Sequence, residues 1–405
     1  MNIAFFTNYY HPVVNGVVRS VASFRNSLIK QGHHVFVFAQ ADGVYADEEQ
    51  FIFRYPSLSL PLTGDIPTVI PISSFVDQLL PSLKLDIIHA HHPFLLGQTA
   101  ANKAAELNLP LVFTFHTKYW DYTHYVPFSQ DVIQEFLKNA VHTWLKGYLS
   151  KCQHVIIPSE SIKEFLVNEY GLEQGYTVIP TGTELEPFQS ADGKALRKQM
   201  GSQDDKVIVS IGRLGLEKNW ETLLRAIAQV RAQHPDVRLV LIGDGPERAT
   251  LEQLTAELGI TERVTFTGAL PFERVPAYMK AGDLFSFASV TETQGLVTIE
   301  AMAAGLPIVA VDATGTRDIV QNGQEGILVE NDPAALASAL DRVLSNPKQM
   351  KQFAARALKK SKTYDMNHLT KELVKVYEQA ILDKKEGRQV VLKDKAVESA
   401  YQPGN

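Results

Sequence analysis

Short apolar runs alternate with longer stretches of helical periodicity along most of the chain, and this alternation limits the folds that it can adopt. The apolar runs are rich in β-branched residues and have the length of buried strands. They lie at residues 3–7, 35–39, 86–90, 111–115, 155–158, 207–212, 238–243, 264–267, 284–287, 308–311 and 327–329. Helical patterns such as 17–28 fall between them. Strands that alternate with helices form parallel sheets covered by helices, so the sequence predicts an α/β protein.

Length and composition describe a chain with room for more than one domain. Its 405 residues suit two domains, and its 45% hydrophobic content is enough to fill two cores. The segment 180–183, Pro-Thr-Gly-Thr, is the predicted crossing between the halves. The charged segment 385–405 is expected to be a mobile tail.

Charge and cysteine content narrow the function classes. The net charge of -6 argues against broad nucleic-acid binding and gives no overall attraction to anionic membranes. Cys152 stands alone, as expected in a reducing compartment. The chain enters its first strand without a basic leader, and no apolar run has the length of a bilayer span. We therefore expect a cytoplasmic protein that makes at most peripheral contact with the inner face of a membrane.

Two glutamates, Glu292 and Glu300, lie eight residues apart after the predicted strand at 284–287. The stretch reads as a loop with a glycine, Gly295, followed by a helix, so Glu292 is expected in the loop and Glu300 in the helix. A helix N-terminus offers unpaired N–H groups and the positive end of the helix dipole, and both bind anions. With carboxylates beside it for hydroxyl groups, this place suits a sugar phosphate. Two surface glutamates on an ordinary helix would have the same spacing.

A pair of cations follows the predicted strand at 207–212. Arg213 is expected at the carboxyl end of that strand and Lys218 at the start of the next helix. Ligands of open α/β sheets bind at this edge, where a planar guanidinium and an ammonium suit a diphosphate. The other interpretation is an exposed loop with ordinary charges.

Taken in order, these motifs resemble those of the retaining glycosyltransferases of family four. The motifs are Gly-Arg-Leu-x-x-Glu-Lys-Asn at 212–219, Ile-Gly-Asp-Gly-Pro-Glu-Arg at 242–248, and the stretch that carries Glu292 and Glu300. The resemblance implies that Arg213 and Lys218 bind the diphosphate of a nucleotide-sugar donor. It also implies that Glu300 holds the ribose and that Glu292 contacts the transferred sugar. Backbone amides for the phosphate and the sugar hydroxyls would come from Thr293, Gln294, Gly295, Leu296 and Val297. Gln294 stands where many members have an aromatic residue.

The same resemblance, which covers roughly residues 1–380, implies the GT-B fold: two Rossmann-like domains with parallel sheets that face across a cleft. The predicted domains are 1–183, which would bind the acceptor, and 184–366, which would bind the donor. A helix at about 367–384 would cross back to the first domain. The implied activity is transfer of a hexose, glucose from UDP-glucose, to an acceptor hydroxyl with retention of the anomeric configuration.

Polar residues also follow strands of the first domain. Gly16 begins the helix after the first strand, where a residue without a side chain lets a phosphate approach; Asn15 is equally suited to cap that helix. His116 follows the strand at 111–115, and the family has a histidine there against the donor sugar. The next segment offers the acceptor candidates Tyr119, Asp121, Tyr122 and His124. This aromatic cluster resembles that of bacterial diacylglycerol glucosyltransferases, and aromatic packing over a loop is the alternative.

Neither a metal nor a cofactor is expected. His89, His91 and His92 end a strand, but no nearby cysteine or carboxylate completes a ligand set. The chain also lacks the Asp-x-Asp motif that holds a metal on a nucleotide diphosphate. Arg213 and Lys218 would supply the positive charge instead.

The acceptor is the open part of the prediction. Residues 131–151 form an amphipathic stretch with Lys138, His142 and Lys146 along one side. Such a stretch fits a lipid surface, but it is more often part of a core. We therefore expect a lipid acceptor, diacylglycerol or a glycolipid, with a soluble sugar or polyol as the alternative. Two further alternatives share the diphosphate site: a nucleotide-sugar epimerase and a non-catalytic sugar-nucleotide binding protein.

Overall fold

A computed structural model describes residues 1–13, 15–41, 45–58, 68–116, 131–292 and 294–393, and the side chains of residues 131–137 lie outside this description. Each predicted strand is present, because each apolar run is buried in a sheet. In chain order the strands are β1 (Asn2–Thr7), β2 (His34–Gln40), β3 (Ile52–Tyr55), β4 (Ser57–Leu58), β5 (Thr68–Val69), β6 (Ile87–Ala90), β7 (Leu111–Thr114), β8 (His154–Ile157), β9 (Leu172–Gln174), β10 (Tyr176–Val178), β11 (Lys206–Ile211), β12 (Val237–Ile242), β13 (Val264–Phe266), β14 (Leu284–Phe287), β15 (Ile308–Val311), β16 (Gly326–Val329) and β17 (Val391–Leu392). The sequence analysis missed β3, β10 and the shorter strands.

The helices occupy the segments with helical periodicity. They are α1 (Gly16–Lys30), α2 (Ser74–Leu79), α3 (Leu96–Glu106), α4 (Asp131–Leu149), α5 (Glu160–Tyr170), α6 (Leu185–Ser190), α7 (Gly193–Gln199), α8 (Trp220–Val230), α9 (Arg248–Glu257), α10 (Val275–Ala281), α11 (Leu296–Ala303), α12 (Thr316–Ile319), α13 (Pro333–Leu344), α14 (Pro347–Ser361) and α15 (Met366–Lys385). Helix α1 shows why they form: Val21, Phe24 and Leu28 recur at helical spacing and are buried.

The chain divides into two units. Unit 1 comprises Met1–Ile179 and Thr370–Asn405, and unit 2 comprises Pro180–Leu369. The predicted junctions at 183/184 and 366/367 therefore shift to 179/180 and 369/370. Helix α15 begins in unit 2 and continues into unit 1.

Unit 1 contains a seven-stranded sheet in the order β10-β8-β7-β6-β1-β2-β3. All of its pairs are parallel; Ile3, for example, aligns with Val35 of β2 and with Ile87 of β6. The strand order reverses at β1, between β2 and β6. In an open parallel sheet such a reversal leaves a crevice at the carboxyl ends of the strands.

Unit 2 contains a six-stranded parallel sheet in the order β13-β12-β11-β14-β15-β16. Its order reverses at β11, between β12 and β14, so this sheet has a second crevice of the same kind. Two consecutive residues of β11, Ile208 and Val209, belong to two separate apolar clusters. The sheet is therefore buried on both faces, as expected for the continuous apolar runs in the sequence.

Part of the segment that was predicted to be a mobile tail is paired in the structure. Strand β17 pairs antiparallel with β9, with Val391 opposite Gln174, and the Lys393 N–H donates to the Gly171 carbonyl oxygen at 2.8 Å. Backbone pairing therefore fixes residues 391–393 on unit 1.

Candidate active site

The first site loop of unit 2 follows β11 and contains both predicted cations. Arg213 is exposed, and its carbonyl oxygen accepts a hydrogen bond from the Trp220 indole N–H at 3.0 Å. Lys218 lies in a single 3₁₀ turn, Leu216–Lys218, rather than at the start of a helix, because α8 begins two residues later at Trp220. The buried indole thus holds the loop that presents Arg213.

A second loop supports the first one from β12. The Leu214 N–H donates to the Asp244 carbonyl oxygen at 2.9 Å, and the Glu247 N–H donates back to the Leu214 carbonyl oxygen at 3.0 Å. Gly243 has a φ of 141°, and a Cβ atom there would lie 2.0 Å from the Gly212 carbonyl oxygen. The motif at 242–248 therefore supports the Arg213 loop by close backbone packing that requires glycine.

The donor loop, which we define as residues 288–295, connects β14 to α11. Glu292 lies in this loop, and its Oε1 accepts hydrogen bonds from Lys218 Nζ and, at 2.9 Å, from Ser289 Oγ. The side chains of Lys218 and Glu292 are 22% and 15% exposed, so the pair is partly shielded from solvent. The two predicted site residues, which are distant in sequence, thus form one ion pair. Sequence reasoning missed Ser289, which is buried and orients Glu292.

Gly295 ends the donor loop and caps α11 with a left-handed φ of 75°. The first N–H groups of a helix have no carbonyl partner within it, so Leu296 and Val297 place donors at the end of the sheet where the Lys218–Glu292 pair lies. Glu300 lies inside α11 and is 1% exposed. Thr293 lies outside the described residues. An anion at this helix end would meet backbone amides beside the loop that carries Glu292 and its partner Lys218.

A third loop, which the sequence analysis did not consider, packs against the donor loop. Gly315 follows β15 with a φ of 81°, and a Cβ atom there would lie 2.6 Å from the Glu292 carbonyl oxygen and 2.9 Å from the Gln294 nitrogen. The signal was present in the sequence: a glycine among threonines after an apolar strand of a parallel sheet. This contact restrains the backbone on both sides of residue 293.

The side chain of Gln294 attaches the donor loop to another part of unit 2. It is buried, and its amide makes two hydrogen bonds of 2.7 Å with the backbone of Thr181. Gln294 Oε1 accepts from the Thr181 N–H, and Gln294 Nε2 donates to the Thr181 carbonyl oxygen. The sequence analysis predicted a donor contact from the backbone of Gln294 and assigned no contact to its side chain. The side-chain amide is occupied by Thr181, so the backbone is what Gln294 can offer a donor.

The crevice of unit 1 is lined by histidines. His116 follows β7 and is 9% exposed, and its Nε2 lies 3.0 Å from Nδ1 of His91, which follows β6. His89 contacts the Tyr377 hydroxyl of α15 at 2.7 Å and Thr114 Oγ1 at 2.7 Å. His92 Nδ1 accepts a hydrogen bond from the Asn8 N–H at 3.1 Å. We refer to His89, His91, His92 and His116 as the histidine cluster.

The histidine cluster is uncharged at neutral pH. Burial lowers the pKa of His89 and the pKa of His92 to about 3. Burial, together with neighbouring histidines, holds the pKa of His91 and the pKa of His116 well below the ordinary value of 6.5. Neutral imidazoles donate one hydrogen bond and accept one, so His116 can orient a hydroxyl group without adding charge.

Hydrogen bonds occupy several of the histidine nitrogens that could otherwise bind a metal ion. Both ring nitrogens of His89 are used by Tyr377 and Thr114, and Nδ1 of His92 is used by Asn8. In the part of the chain that the structure describes, no group of three or more histidine, cysteine, aspartate or glutamate residues is arranged to hold a metal ion.

Gly16 begins α1 at the carboxyl end of β1, and the Asn15 side chain accepts a hydrogen bond from the Val18 N–H at 2.9 Å. Asn15 is therefore a helix cap. Among the described residues, and leaving aside its chain neighbours and the backbone of α1, no atom lies within 4 Å of the position that a Cβ atom would take on Gly16. The fold therefore leaves space above this helix start, as a phosphate would need.

The acceptor candidates Tyr119, Asp121, Tyr122 and His124 lie outside the described residues. Helix α4 follows them, and only part of its apolar stripe is buried. Leu145 and Tyr148 are buried, whereas Trp144 is 45% exposed and stacks on Phe94. His142 was expected on a basic face with Lys138 and Lys146. Its Nε2 instead lies 3.1 Å from the Glu169 carbonyl oxygen, and its ring stacks on Tyr170.

A cavity of about 610 Å³ lies beside α4. It is lined by Gln98, Asn139, Ala140, Thr143, Trp144, Gly147, Tyr148 and Lys151. Across the described ranges, no helix combines the length and the apolar character needed to span a bilayer.

Comparisons with known proteins identify the family of the chain. Residues 14–187 match the profile of "Glycosyltransferase Family 4", and residues 192–360 match that of "Glycosyl transferases group 1". The alpha-monoglucosyldiacylglycerol synthase of Streptococcus pneumoniae is 33% identical over 86% of this chain and 79% of its own length. The enzyme of the same name from Acholeplasma laidlawii is 30% identical over 90% of this chain and 93% of its own.

The fold also has close structural neighbours. The crystal structure of Anabaena HepE in complex with UDP and glucose aligns with a TM-score of 0.74 and 22% identity, covering 93% of this chain and 99% of HepE. Structural similarity at this identity bears on the fold alone, and it places both parallel-sheet units in the GT-B class.

Proposed function

This chain belongs to the family four glycosyltransferases, which use nucleotide-sugar donors, and we propose that it transfers glucose from UDP-glucose to diacylglycerol or a glycolipid. The proposal includes retention of the anomeric configuration and independence from a metal ion or other cofactor. The Lys218–Glu292 pair beside the N-terminus of α11 carries the donor half of the proposal. The activity in the names of both synthases supports the acceptor half.

The chemistry follows from charge. Cleavage of the bond between sugar and diphosphate leaves negative charge on the leaving group and positive charge on the ring. An ammonium has three N–H donors, so Lys218 can keep its bond to Glu292 and still donate to phosphate oxygens. Together with Arg213 and the α11 amides, it would stabilise the departing diphosphate without a metal ion.

In the proposed route to retention, the acceptor attacks on the side from which the diphosphate leaves. A departing phosphate oxygen can then take the proton of the acceptor hydroxyl, so the protein need not supply a base. His116, which is neutral, would orient the sugar, and Glu292 would accept a hydrogen bond from a sugar hydroxyl.

Two observations on the acceptor region favour different acceptors, one a lipid and the other a soluble molecule. The exposed Trp144 and the cavity beside α4 offer apolar surface next to the chain segment of the acceptor candidates. His142, however, is engaged by α5, which leaves Lys138 and Lys146 as the basic residues of the predicted face. Two basic residues give weak adsorption at about 1 kcal/mol each. A soluble sugar or polyol is therefore the second candidate acceptor.

A donor-by-acceptor screen tests the proposal. Purified protein is incubated with UDP-glucose, UDP-N-acetylglucosamine or GDP-mannose, each with diacylglycerol in detergent, a glycolipid, glucose or inositol, and products are identified by mass spectrometry. We expect an α-glucosyl lipid, with the anomeric configuration read by NMR, at equal rates with and without EDTA. Arg225→Ala, on the exposed face of α8, is the matched control for substitutions of Arg213.

Each other outcome identifies a different function. A glucosylated sugar or polyol would replace the lipid acceptor, an epimerised donor would indicate an epimerase, and nucleotide binding without product would indicate a binding protein. Loss of activity in EDTA, restored by magnesium, would overturn metal independence.

Membrane contact has its own test, flotation with anionic vesicles. At low salt we expect weak binding that Lys138→Glu with Lys146→Glu abolishes, while Lys351→Glu with Lys359→Glu, at exposed positions of α14, makes the same charge change as a control and leaves binding unchanged. Failure of the wild-type protein to float at low salt would contradict the membrane contact.

A further inference from the structure

Two covalent connections join the units, and both pass through one small region of unit 2. The chain enters unit 2 at Pro180 and leaves it after Leu369. The Thr183 N–H donates to the Tyr364 carbonyl oxygen at 3.0 Å, and the Met366 N–H donates to the Thr183 carbonyl oxygen at 3.2 Å. We call residues 180–183 the crossover segment. Backbone hydrogen bonds therefore fix the crossover segment beside the start of α15.

Gln294 attaches the donor loop to the same segment. Its side-chain amide satisfies both the N–H and the carbonyl group of Thr181, at 2.7 Å each, across 113 residues of sequence. The side chain is 5% exposed, and Thr181 is 6% exposed. A buried amide that makes two short bonds with the backbone of one residue holds its loop in one place, because breaking either bond leaves a buried polar group unpaired.

Gln294 lies between the groups of the donor loop that are expected to contact the donor. Glu292 is two residues before it, Gly295 caps α11 directly after it, and Gly315 packs against its backbone nitrogen. Any movement of Gln294 would therefore shift the carboxylate that holds Lys218 and the first amides of α11. Positioning errors of this kind are costly for transferases, because reacting groups must be held close to their productive geometry.

We propose that Gln294 is a positioning residue that fixes the donor loop on the crossover segment, so that occupancy of the nucleotide site is transmitted to both chain connections. The transmission half rests on the proposed function, in that it requires a nucleotide at the donor loop. The attachment half stands on the hydrogen bonds alone.

Hydrogen exchange measured by mass spectrometry tests the attachment without any ligand. Gln294→Met keeps the side-chain volume and removes both bonds, and we expect exchange in peptides covering 179–183 and 288–297 to accelerate together by about tenfold or more. Peptides from β12 and α9 should keep their rates. Gln229→Met, on the exposed face of α8, is the matched control and should change none of them. Unchanged exchange at 179–183 in Gln294→Met would overturn the proposal.

A second variant guards against a general folding defect. Gln294→Glu keeps the oxygen that accepts from the Thr181 N–H and loses the donor to the Thr181 carbonyl oxygen. We expect an intermediate acceleration confined to the same two segments. Acceleration throughout unit 2 in both variants would mean that Gln294 only stabilises the fold, which also overturns the proposal.

Nucleotide binding tests the transmission. UDP and GDP are each added at saturation, and the nucleotide that binds the wild-type protein is used with the variants. We expect it to slow exchange at both 288–297 and 179–183 in the wild type, and at 288–297 alone in Gln294→Met. The donor KM should rise about tenfold in this variant with a smaller change in kcat. Equal slowing at 179–183 in both proteins would overturn the transmission, whereas absence of any nucleotide binding by the wild type would count against the proposed function.

Discussion

The two sheets each reverse their strand order beside a central strand, yet the residues at the two reversals differ in charge. Beside the reversal of unit 1, on β6 and after β6 and β7, the chain places buried histidines, which are neutral; His91 contacts His116, and His89 contacts Tyr377 and Thr114. At β11 and β14 of unit 2 it places Arg213, Lys218 and Glu292, which are charged and partly exposed.

This difference separates two ways of building a polar site. Buried neutral groups orient a ligand through directional hydrogen bonds, at the cost of sensitivity to protonation. Partly exposed charges stabilise charge that develops during the reaction, and their loss hardly affects packing. Under the proposed function, the same topology would serve recognition in one unit and electrostatic stabilisation in the other, and three predictions test this comparison.

The largest expected effect is on the stability of unit 1 in acid. The pKa of His89 and the pKa of His92 are about 3 in the folded protein, against 6.5 when exposed, so the unfolded chain takes up protons first as the pH falls. Their stabilisation is complete above pH 6.5 and is lost as the pH falls from 6.5 towards 3. At pH 5.5 each costs about 1.4 kcal/mol, about 3 kcal/mol together, and His91 and His116 add to this in the same direction.

The measurement uses Cys152, the single cysteine of the chain, which is buried in unit 1. Its reaction with 4,4′-dithiodipyridine in increasing urea reports the opening of unit 1 at pH 7.5 and pH 5.5. We expect a lower urea midpoint at pH 5.5 that His89→Gln partly restores, relative to its own value at pH 7.5. His368→Asn, at an exposed position, is the control. Equal midpoints at both pH values would show that the cluster is not held neutral.

The second effect concerns turnover and sharpens the role of charge. Arg213→Ala and Lys218→Ala should each lower kcat by about 100- to 1,000-fold, because each removes a cation from the departing diphosphate. The melting temperature should change little, since Arg213 is exposed and Lys218 is only partly buried. Steady-state rates and thermal melts measure the two quantities, with Arg225→Ala as the control. Near-normal turnover in both variants would place the diphosphate elsewhere.

The smallest effect separates the two glutamates. Glu292→Ala should leave UDP affinity within about threefold of wild type. The substitution removes a carboxylate that competes with the diphosphate for Lys218 and repels the diphosphate. Glu300→Gln should weaken UDP binding by about tenfold, because a charged acceptor for the ribose hydroxyls is lost. Titration calorimetry with UDP compares them. Equal losses of affinity would contradict the division of roles between loop and helix.

The sequence predicted the two-domain parallel architecture and every strand of the two large sheets except β3 and β10, because apolar β-branched runs mark buried strands directly. It also predicted that Arg213, Lys218 and Glu292 belong to one site, through their places after strands. It did not predict the bond between Lys218 and Glu292, the attachment of Gln294 to Thr181 or the support by Gly315. These depend on how loops from different strands meet at a sheet edge, which spacing along the chain does not encode.

Histidine pairing illustrates the same limit. His91 and His116 were recognised separately, one as polar lining and one as a donor contact, but their 3.0 Å contact arises because β6 and β7 are neighbours in the sheet. Tyr377 was placed only as part of a helix that crosses back, and its hydroxyl completes the surroundings of His89 from the other end of the chain.

The way in which the chain is divided also affects its synthesis. Unit 1 is assembled from both ends of the sequence, whereas unit 2 comes entirely from the middle. A ribosome therefore releases every strand of unit 2 before it has made Tyr377 or strand β17. Domains generally fold as units during translation. Here unit 2 can fold before the ribosome has made Tyr377, whose hydroxyl contacts His89 of unit 1. Unit 1, whose synthesis begins first, is therefore the last to be completed.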